Sequence, residues 1–328
     1  MRNTFNFADA TQQAFGFLRQ ELSIVEPGVY RTVFPEVQYP GLVPVDTGGW
    51  EWAKSITFTS LDSVGRAQWF HSQARDVPVA EVQLNQFETR IEMAAIGYRY
   101  GIEEVQTALR LGIGITNEKA MAAKRAYEEF VDDVVLRGNT AKGWYGLINQ
   151  PSDVATIDAA DVGDLNGGTN SSYWAHKDVS QIMDDFNAAI TNVTVNSLQV
   201  ELADTVLLPL QELTRLAQMQ MTNLPSTVLG WIQQHNMYTL QTGRPLNIKA
   251  IRGLETADDA GGGRMVVYRN DPGVLKFHIP MPHKFLPVQP ENPVGLVFLV
   301  PGIFRLGGLE IRRPAAMRYV DGISAPPV

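Results

Sequence analysis

Two periods of hydrophobic and polar residues alternate along this chain, and the switches between them mark its parts. Between Gln12 and Val25, the residues Phe15, Leu18, Leu22 and Val25 recur every three or four positions. That spacing predicts a helix, capped by Asp9 or Thr11 and stopped by Pro27-Gly28. Pro35, Pro40, Gly41 and Pro44 then punctuate an extended run. Residues 1–47 read either as a helix packed on its own core or as an arm lying on another surface, and the prolines favour the arm.

From Trp50 the period falls to two. Trp50, Trp52, Ile56 and Phe58 alternate with Glu51, Ala53, Ser55, Thr57 and Thr59, which predicts one apolar and one polar face, interrupted by Lys54. Val79–Leu84 opens a second extended run, and Phe87, Thr89, Ile91 and Met93 then alternate with Glu88, Arg90 and Glu92. Ile96, Tyr98 and Tyr100 take the opposite parity, so a bulge or bend is expected near Ala94-Ala95. A dozen paired residues span about 40 Å. A two-stranded ribbon of that length is marginal alone in water, so it needs its own body or a neighbour to lie on. The connecting segment carries an apolar pair, Trp69-Phe70.

The helical period returns at Ile102–Leu111 and, after Gly112 and Gly114, at Asn117–Arg137, with Thr116-Asn117 as caps and Gly138 as terminator. Ala120, Ala123, Tyr127, Phe130, Val131 and Val134 form one stripe; Glu118, Arg125, Glu129 and Asp132 populate the other face. A helix of that length, about 30 Å, suits the spine of a thin subunit. Gly143–Asn149 reads as a compact element and Thr156–Tyr173 as turns. Ile182, Phe186, Ala189, Ile190 and Val193 mark another helix, Thr205–Leu208 a buried strand, Gln211–Met221 and Ser226–His235 helices, and Asn247–Ile251 a strand. Met265–Tyr268 and Leu275–Ile279 are expected to pair around Asn270-Asp271-Pro272-Gly273. Pro280–Pro293, with five prolines, reads as a linker, and Val294–Val320 as strands. The mixture predicts an α+β protein.

Composition narrows the chemistry. The 328 residues contain no cysteine, which excludes disulfides, thiolate metal sites and cysteine nucleophiles. A net charge of −8 argues against a dedicated nucleic-acid-binding module, which needs a basic face. The start, Met1–Asn6, lacks an apolar signal core. The longest apolar run, Val294–Phe304, falls short of the roughly 20 residues that cross a bilayer, so no membrane partner is expected. Serine-hydrolase, phosphate-loop and zinc-protease motifs are missing. His278 and His283 form a weak metal pair without a third ligand nearby in sequence, and Asp158, Asp161, Asp164 and Asn166-Gly167 miss the calcium-loop spacing. The acidic doublets Glu103-Glu104, Glu128-Glu129, Asp132-Asp133 and Asp184-Asp185 read as solvated helix faces. Asp258-Asp259 with Gly261, Gly262 and Gly263 reads as a mobile acidic loop. No cofactor, no metal and no catalytic residue is expected.

The order of parts (arm, ribbon, spine helix, turn-rich connector, α/β region, returning strands) resembles the Hong Kong 97-type fold of tailed-phage major capsid proteins, shared with encapsulins. The resemblance runs from about Asp46 to Ile323. It is carried by Leu61–Ala67, Asp76–Val79, Glu103–Ala108, Lys119–Ala126, Gly143–Pro151, Arg305–Pro314 and Tyr319–Ile323, in that order and spacing.

This resemblance implies an N-terminal arm over 1–47, an E-loop with flanking strands over 48–100, and a P-domain with spine helix and connector over 101–176. An A-domain would cover 177–280, and strands returning to the P-domain 281–328. It implies a non-enzymatic subunit that assembles with itself through pentamers and hexamers into an icosahedral shell around double-stranded DNA, in the virion, after assembly in the host cytoplasm. The alternative is an encapsulin-type nanocompartment. Implied partners are a portal, a scaffolding protein (separate, because 47 residues are too few for a fused one, or none), loosely held DNA and a cement protein. The expected assembly face of the E-loop is Trp50, Trp52, Lys54, Ile56, Phe58, Trp69 and Phe70, and Asp258–Gly263 is the candidate axial loop. The lysine–asparagine cross-link of some relatives is not carried over to Lys54, for which no partner is identified.

Overall fold

The computed structural model describes residues 36–65, 79–110, 114–151, 153–221, 225–291 and 295–326. The helix expected at Gln12–Val25 and the pair Trp69-Phe70 lie outside them, and everything below concerns the unit Val37–Val328. In chain order, β1 (Val45–Asp46) precedes the long β2 (Ser55–Val64) and β3 (Glu81–Arg90), then β4 (Glu92–Ala95) and β5 (Tyr98–Gly101). Helix Ile102–Arg110 and the spine helix Ile115–Arg137 follow, then the short strands β6 (Gly138–Asn139), β7 (Trp144–Tyr145) and β8 (Thr156–Asp158). Helix Val179–Asn196 leads to β9 (Thr205–Leu208), helices Leu210–Gln218, Val228–Gln234 and Met237–Thr242, and β10 (Asn247–Ala250). The remainder is strand: β11 (Gly263–Tyr268), β12 (Leu275–His278), β13 (Met281–Phe285), β14 (Gln289–Pro290), β15 (Val297–Val300), β16 (Gly302–Leu306), β17 (Leu309–Ile311) and β18 (Met317–Ser324).

The centre is a five-stranded mixed sheet in the order β10-β9-β11-β18-β8. Both of its faces are buried, and residue parity divides them between two cores. Val206, Leu208, Met265, Val267 and Val320 join Ile182, Phe186, Ile190 and Val193 of helix Val179–Asn196. Leu207, Val266, Tyr268, Met317 and Tyr319 join Val131, Val134 and Val135 of the spine helix. The sheet draws strands from the expected connector, α/β region and returning segment alike.

The structure corrects several expectations. Met265–Tyr268 and Leu275–Ile279 do not form a hairpin. The turn between them is tight, with Val274 N donating to Asp271 O at 2.9 Å. However, β18 and β9 occupy the two edges of β11, and β12 crosses into another sheet between β1 and β17. Leu275 and Phe277 thereby fill the spine-helix core. Turn chemistry is local and cannot choose a strand's partner. The proline-rich segment expected as a linker holds β13 and β14, both edge strands, where proline removes no needed ladder bond. The bend expected at Ala94-Ala95 falls on either side of it, at Ile91 and at Ile96-Gly97. The spine helix starts at Ile115 on Gly114, so Thr116-Asn117 lie inside it rather than capping it. The helices expected at Gln211–Met221 and Ser226–His235 are shorter, and helix Met237–Thr242 was missed.

Candidate functional site

The feature that stands apart from both cores is the β2–β3 ribbon. Ten consecutive pairs run from Ser55 opposite Arg90 to Val64 opposite Glu81, about 30 Å of ladder. It is a two-stranded sheet, and β3 is exposed along nearly its whole length.

Because opposed residues share a face, the register shows how the apolar side chains are distributed. On one face near the root lie Ile56, Phe58 and Phe87, with the two phenyl rings stacked at 5.0 Å. Farther out that face turns polar, at Ser60 and Asn85. The opposite face does the reverse. It is polar at the root (Thr57 with Glu88, Thr59 with Gln86) and apolar beyond, where Leu61 opposes Leu84 and Val82 follows. Leu61, Leu84 and Val82 are 64%, 65% and 58% exposed.

The apolar side thus changes face midway. Sequence periodicity from Trp50 located the root patch and missed the outer one, because Leu61 has the wrong parity to continue it. Trp50 and Trp52 also fall in the turn before β2 rather than on the strand, although both are exposed, Trp50 at 71%. Lys54 is exposed at the root, where its carbonyl accepts from Ile91 N at 2.9 Å.

The ribbon's own chain covers part of the root patch, at Ile56 and Phe58, and leaves Phe87 50% exposed. The Arg312 guanidinium lies 5.3 Å from the Phe58 ring centroid. Its Nε donates to Glu310 Oε1 at 2.5 Å, and the other Glu310 oxygen lies 2.5 Å from His278 Nε2. Asp46 adjoins this group, 3.3 Å from Lys276 Nζ and 4.0 Å from His278 Nδ1. Burial pushes the Glu310 carboxyl up, but hydrogen bonds and charge from His278 and Arg312 outweigh it and hold the group below its ordinary range. Asp46 is also held low, chiefly by the Gly48 amide and, against some burial, by Lys276. A Cβ on Gly307 would stand 2.9 Å from His278 Cβ and 3.3 Å from Ile56 Cδ1, so glycine there lets the cluster meet the ribbon. Before β2, Lys284 pairs with Glu51 at 2.5 Å, and Arg305 donates to Glu51 O at 3.0 Å with its guanidinium 6.0 Å from the Trp52 ring.

On the spine helix, Ala123, Tyr127, Val131 and Val134 of the expected stripe are buried, Ala120 is half-buried and Phe130 is exposed, edge-on to Phe304 at 5.7 Å. The pairs Lys124–Glu128 and Arg125–Glu129 form, at 3.9 and 3.0 Å. Asp132 departs from expectation: it is buried, and its Oδ1 accepts from the amides of Gln38 and Tyr39 at 3.0 and 2.8 Å. Asp185 is likewise buried rather than solvated, 2.6 Å from Lys177 Nζ and accepting from Trp174 Nε1 at 2.9 Å. Asp258–Gly263 closes as a hydrogen-bonded turn rather than a free acidic loop. Gly261 N donates to Asp258 O at 2.9 Å and Asp258 N to Gly262 O at 3.1 Å. Asp259 is exposed, near Arg264 at 3.4 Å, whereas Gly262 and Gly263 are buried against Ser324.

His278 and His283 diverge, His278 to Glu310 and His283 Nε2 to Ile96 O at 3.0 Å. Among the described residues no group of three or more His, Asp or Glu is placed to hold a metal ion, and no helix is long and apolar enough to cross a membrane.

A body of two cores, a long spine helix and a projecting ribbon is the architecture of phage capsid subunits, and solved structures bear this out. The capsid of Myoviridae phage XM1 matches with a TM-score of 0.75 at 16% identity, over 93% of this chain and 98% of that one. The capsid of a native GTA particle matches with a TM-score of 0.60 at 11% identity, over 92% and 96%. Mycobacterium phage Bobi matches with a TM-score of 0.58 at 13% identity, over 91% and 94%. The fold is therefore the Hong Kong 97-type capsid fold. No curated protein matches the chain. The family described as "Major capsid protein" matches residues 65–323, and the chain belongs to that family. The encapsulin alternative is not favoured.

Proposed function

We propose that this chain is a shell-building subunit without catalytic activity. Many copies associate through pentamers and hexamers and close into the icosahedral capsid of a virion around double-stranded DNA. The observation that carries the reading is the ribbon: ten residue pairs in a two-stranded sheet, with Leu61, Val82 and Leu84 exposed on one face. Such a ribbon is marginal alone, and an apolar patch of this kind marks an interaction surface. Each contact is small beside a stable pairwise interface, and closure of the lattice sums many of them.

The overall charge of −8 suits a lining that tolerates DNA without gripping it. Assembly in the host cytoplasm, a portal, a scaffolding protein that is separate or else none, and a cement protein complete the proposed setting. In the ring the turn at Asp258–Gly263 lies toward the capsomer axis. Replacing Leu61 and Leu84 together by Ser tests the reading. Sedimentation is expected to show a folded subunit that no longer forms particles, whereas particles in wild-type yield would overturn the role given to the ribbon.

A further inference from the structure

Residues 38–46 form a strap that leaves the spine helix and ends beneath the ribbon root, held at short intervals along its length. At its start the Asp132 carboxylate accepts from the amides of Gln38 and Tyr39 at 3.0 and 2.8 Å, and Gln38 Nε2 donates to Ala250 O at 3.4 Å. In the middle, Leu42 and Val43 are buried, and Leu42 O accepts from the buried Tyr268 hydroxyl at 2.7 Å. Lys249 Nζ donates to Gly41 O at 3.1 Å. Pro40 and Pro44 fix φ at two positions. The strap then enters a sheet as β1, where Phe277 N donates to Pro44 O and Ile279 N to Asp46 O, each at 2.9 Å.

The strap ends in a charge. Asp46 stands opposite His278 in the ladder, and Lys276 stands opposite Glu310. By parity these four residues and Arg312 share one face of the β1-β12-β17 sheet, turned away from the core that Leu275 and Phe277 fill. The ribbon root meets that face, with Phe58 over Arg312 and Ile56 beside Gly307. The charges interlock: Asp46 with Lys276 at 3.3 Å and His278 at 4.0 Å, and Glu310 with His278 and Arg312 at 2.5 Å each. A layer of directional bonds thus joins the end of the strap to the ribbon. Such bonds weaken steeply once a partner moves out of line, whereas apolar contact is non-directional.

We propose that the strap couples the spine helix to the ribbon. Asp132 fixes where the strap begins, and its buried, proline-held middle leaves little slack. Asp46 passes a displacement to His278, Glu310 and Arg312, and so to Phe58. The hydrogen bonds and ion pair of Asp132 go to Gln38, Tyr39 and Arg252, none of them in the ribbon, so an effect of Asp132 on the ribbon has to travel through intermediate residues. Coupling of this kind runs through packed and hydrogen-bonded networks, and non-additive variants are what demonstrate it. The coupling is a property of the single chain, goes beyond the shell-subunit reading and holds whatever the ribbon packs against.

Amide exchange of the full-length, unassembled subunit tests this in wild type, Asp132→Ala, Arg312→Ala and the double variant. The buried strand Thr205–Leu208 serves as the reference for global opening. Asp132→Ala is expected to speed exchange across Ser55–Val64 and Glu81–Arg90 by roughly three- to tenfold relative to that reference. In the Arg312→Ala background, where the link to Phe58 is already cut, the same substitution is expected to add nothing further. Asp46→Asn, which keeps the shape of the side chain and removes its charge, is expected to behave as Asp132→Ala does, and it provides the same cycle should the Asp132 double variant fail to fold. Ribbon exchange that ignores both substitutions overturns the coupling, as does a rise no greater than that of Thr205–Leu208. Effects that simply add in the double variant overturn it too, because residues without shared partners behave that way.

Discussion

The guanidinium of Arg312 lies over the ring of Phe58, 5.3 Å from its centroid, and the same side chain holds the buried carboxylate of Glu310 at 2.5 Å. One arginine therefore ties the projecting ribbon to the charged cluster in the body. Replacing Arg312 by Ala removes a cation–π contact of about 0.5–1 kcal/mol and leaves Glu310 with His278 alone. The expected outcome is faster amide exchange across Ser55–Val64 and Glu81–Arg90, with a fall in stability of roughly 1–3 kcal/mol from the under-satisfied carboxylate. Unchanged ribbon exchange would show that the ribbon is anchored elsewhere.

Asp132 and Asp133 are neighbours with opposite duties. Asp132 is buried and accepts from two backbone amides, whereas Asp133 is exposed and reaches Arg137 at 3.3 Å. Asp132→Ala is expected to cost about 1–3 kcal/mol in denaturant unfolding, the penalty for two half-buried amide donors losing their acceptor. Asp133→Ala should stay within about 0.5 kcal/mol. Equal effects would contradict the burial assignment.

Two buried carboxylates act in opposite directions on acid stability. Glu310 is held below its ordinary range in the folded chain, so its contribution is present above that range and is lost as pH falls through the depressed value. Burial pushes Glu212 up, against the opposing pull of Arg215, so protonating it on acidification relieves a cost and favours the fold. Melting temperatures followed from pH 7 down through the carboxylate range should therefore fall less steeply in Glu310→Gln than in wild type, and more steeply in Glu212→Gln. Parallel curves for all three proteins would remove both assignments.

What the sequence made legible follows from which interactions are local. The spine helix from Tyr127 to Val134, the buried strand Thr205–Leu208 and the ten-pair ribbon announce themselves by period alone. The partner of Leu275–His278 does not, because β1 and β17 reach it from far along the chain. Asp132 and Asp185 look like surface carboxylates until Tyr39 and Lys177 arrive from other elements. At the ribbon, periodicity could find Ile56 and Phe58, the second of which lies under Arg312. It could not find the outer patch, since Leu61 and Leu84 share a face only once the register is known. Family resemblance supplied the architecture that these non-local pairings left open.

Electron microscopy of the overexpressed full-length chain, with amide exchange on the same sample, tests the central claim most directly. The account predicts closed particles of uniform size, in which residues 55–64 and 81–90 exchange more slowly than in the dissociated subunit. A monodisperse single chain that forms no particles, with those strands already protected, would contradict it.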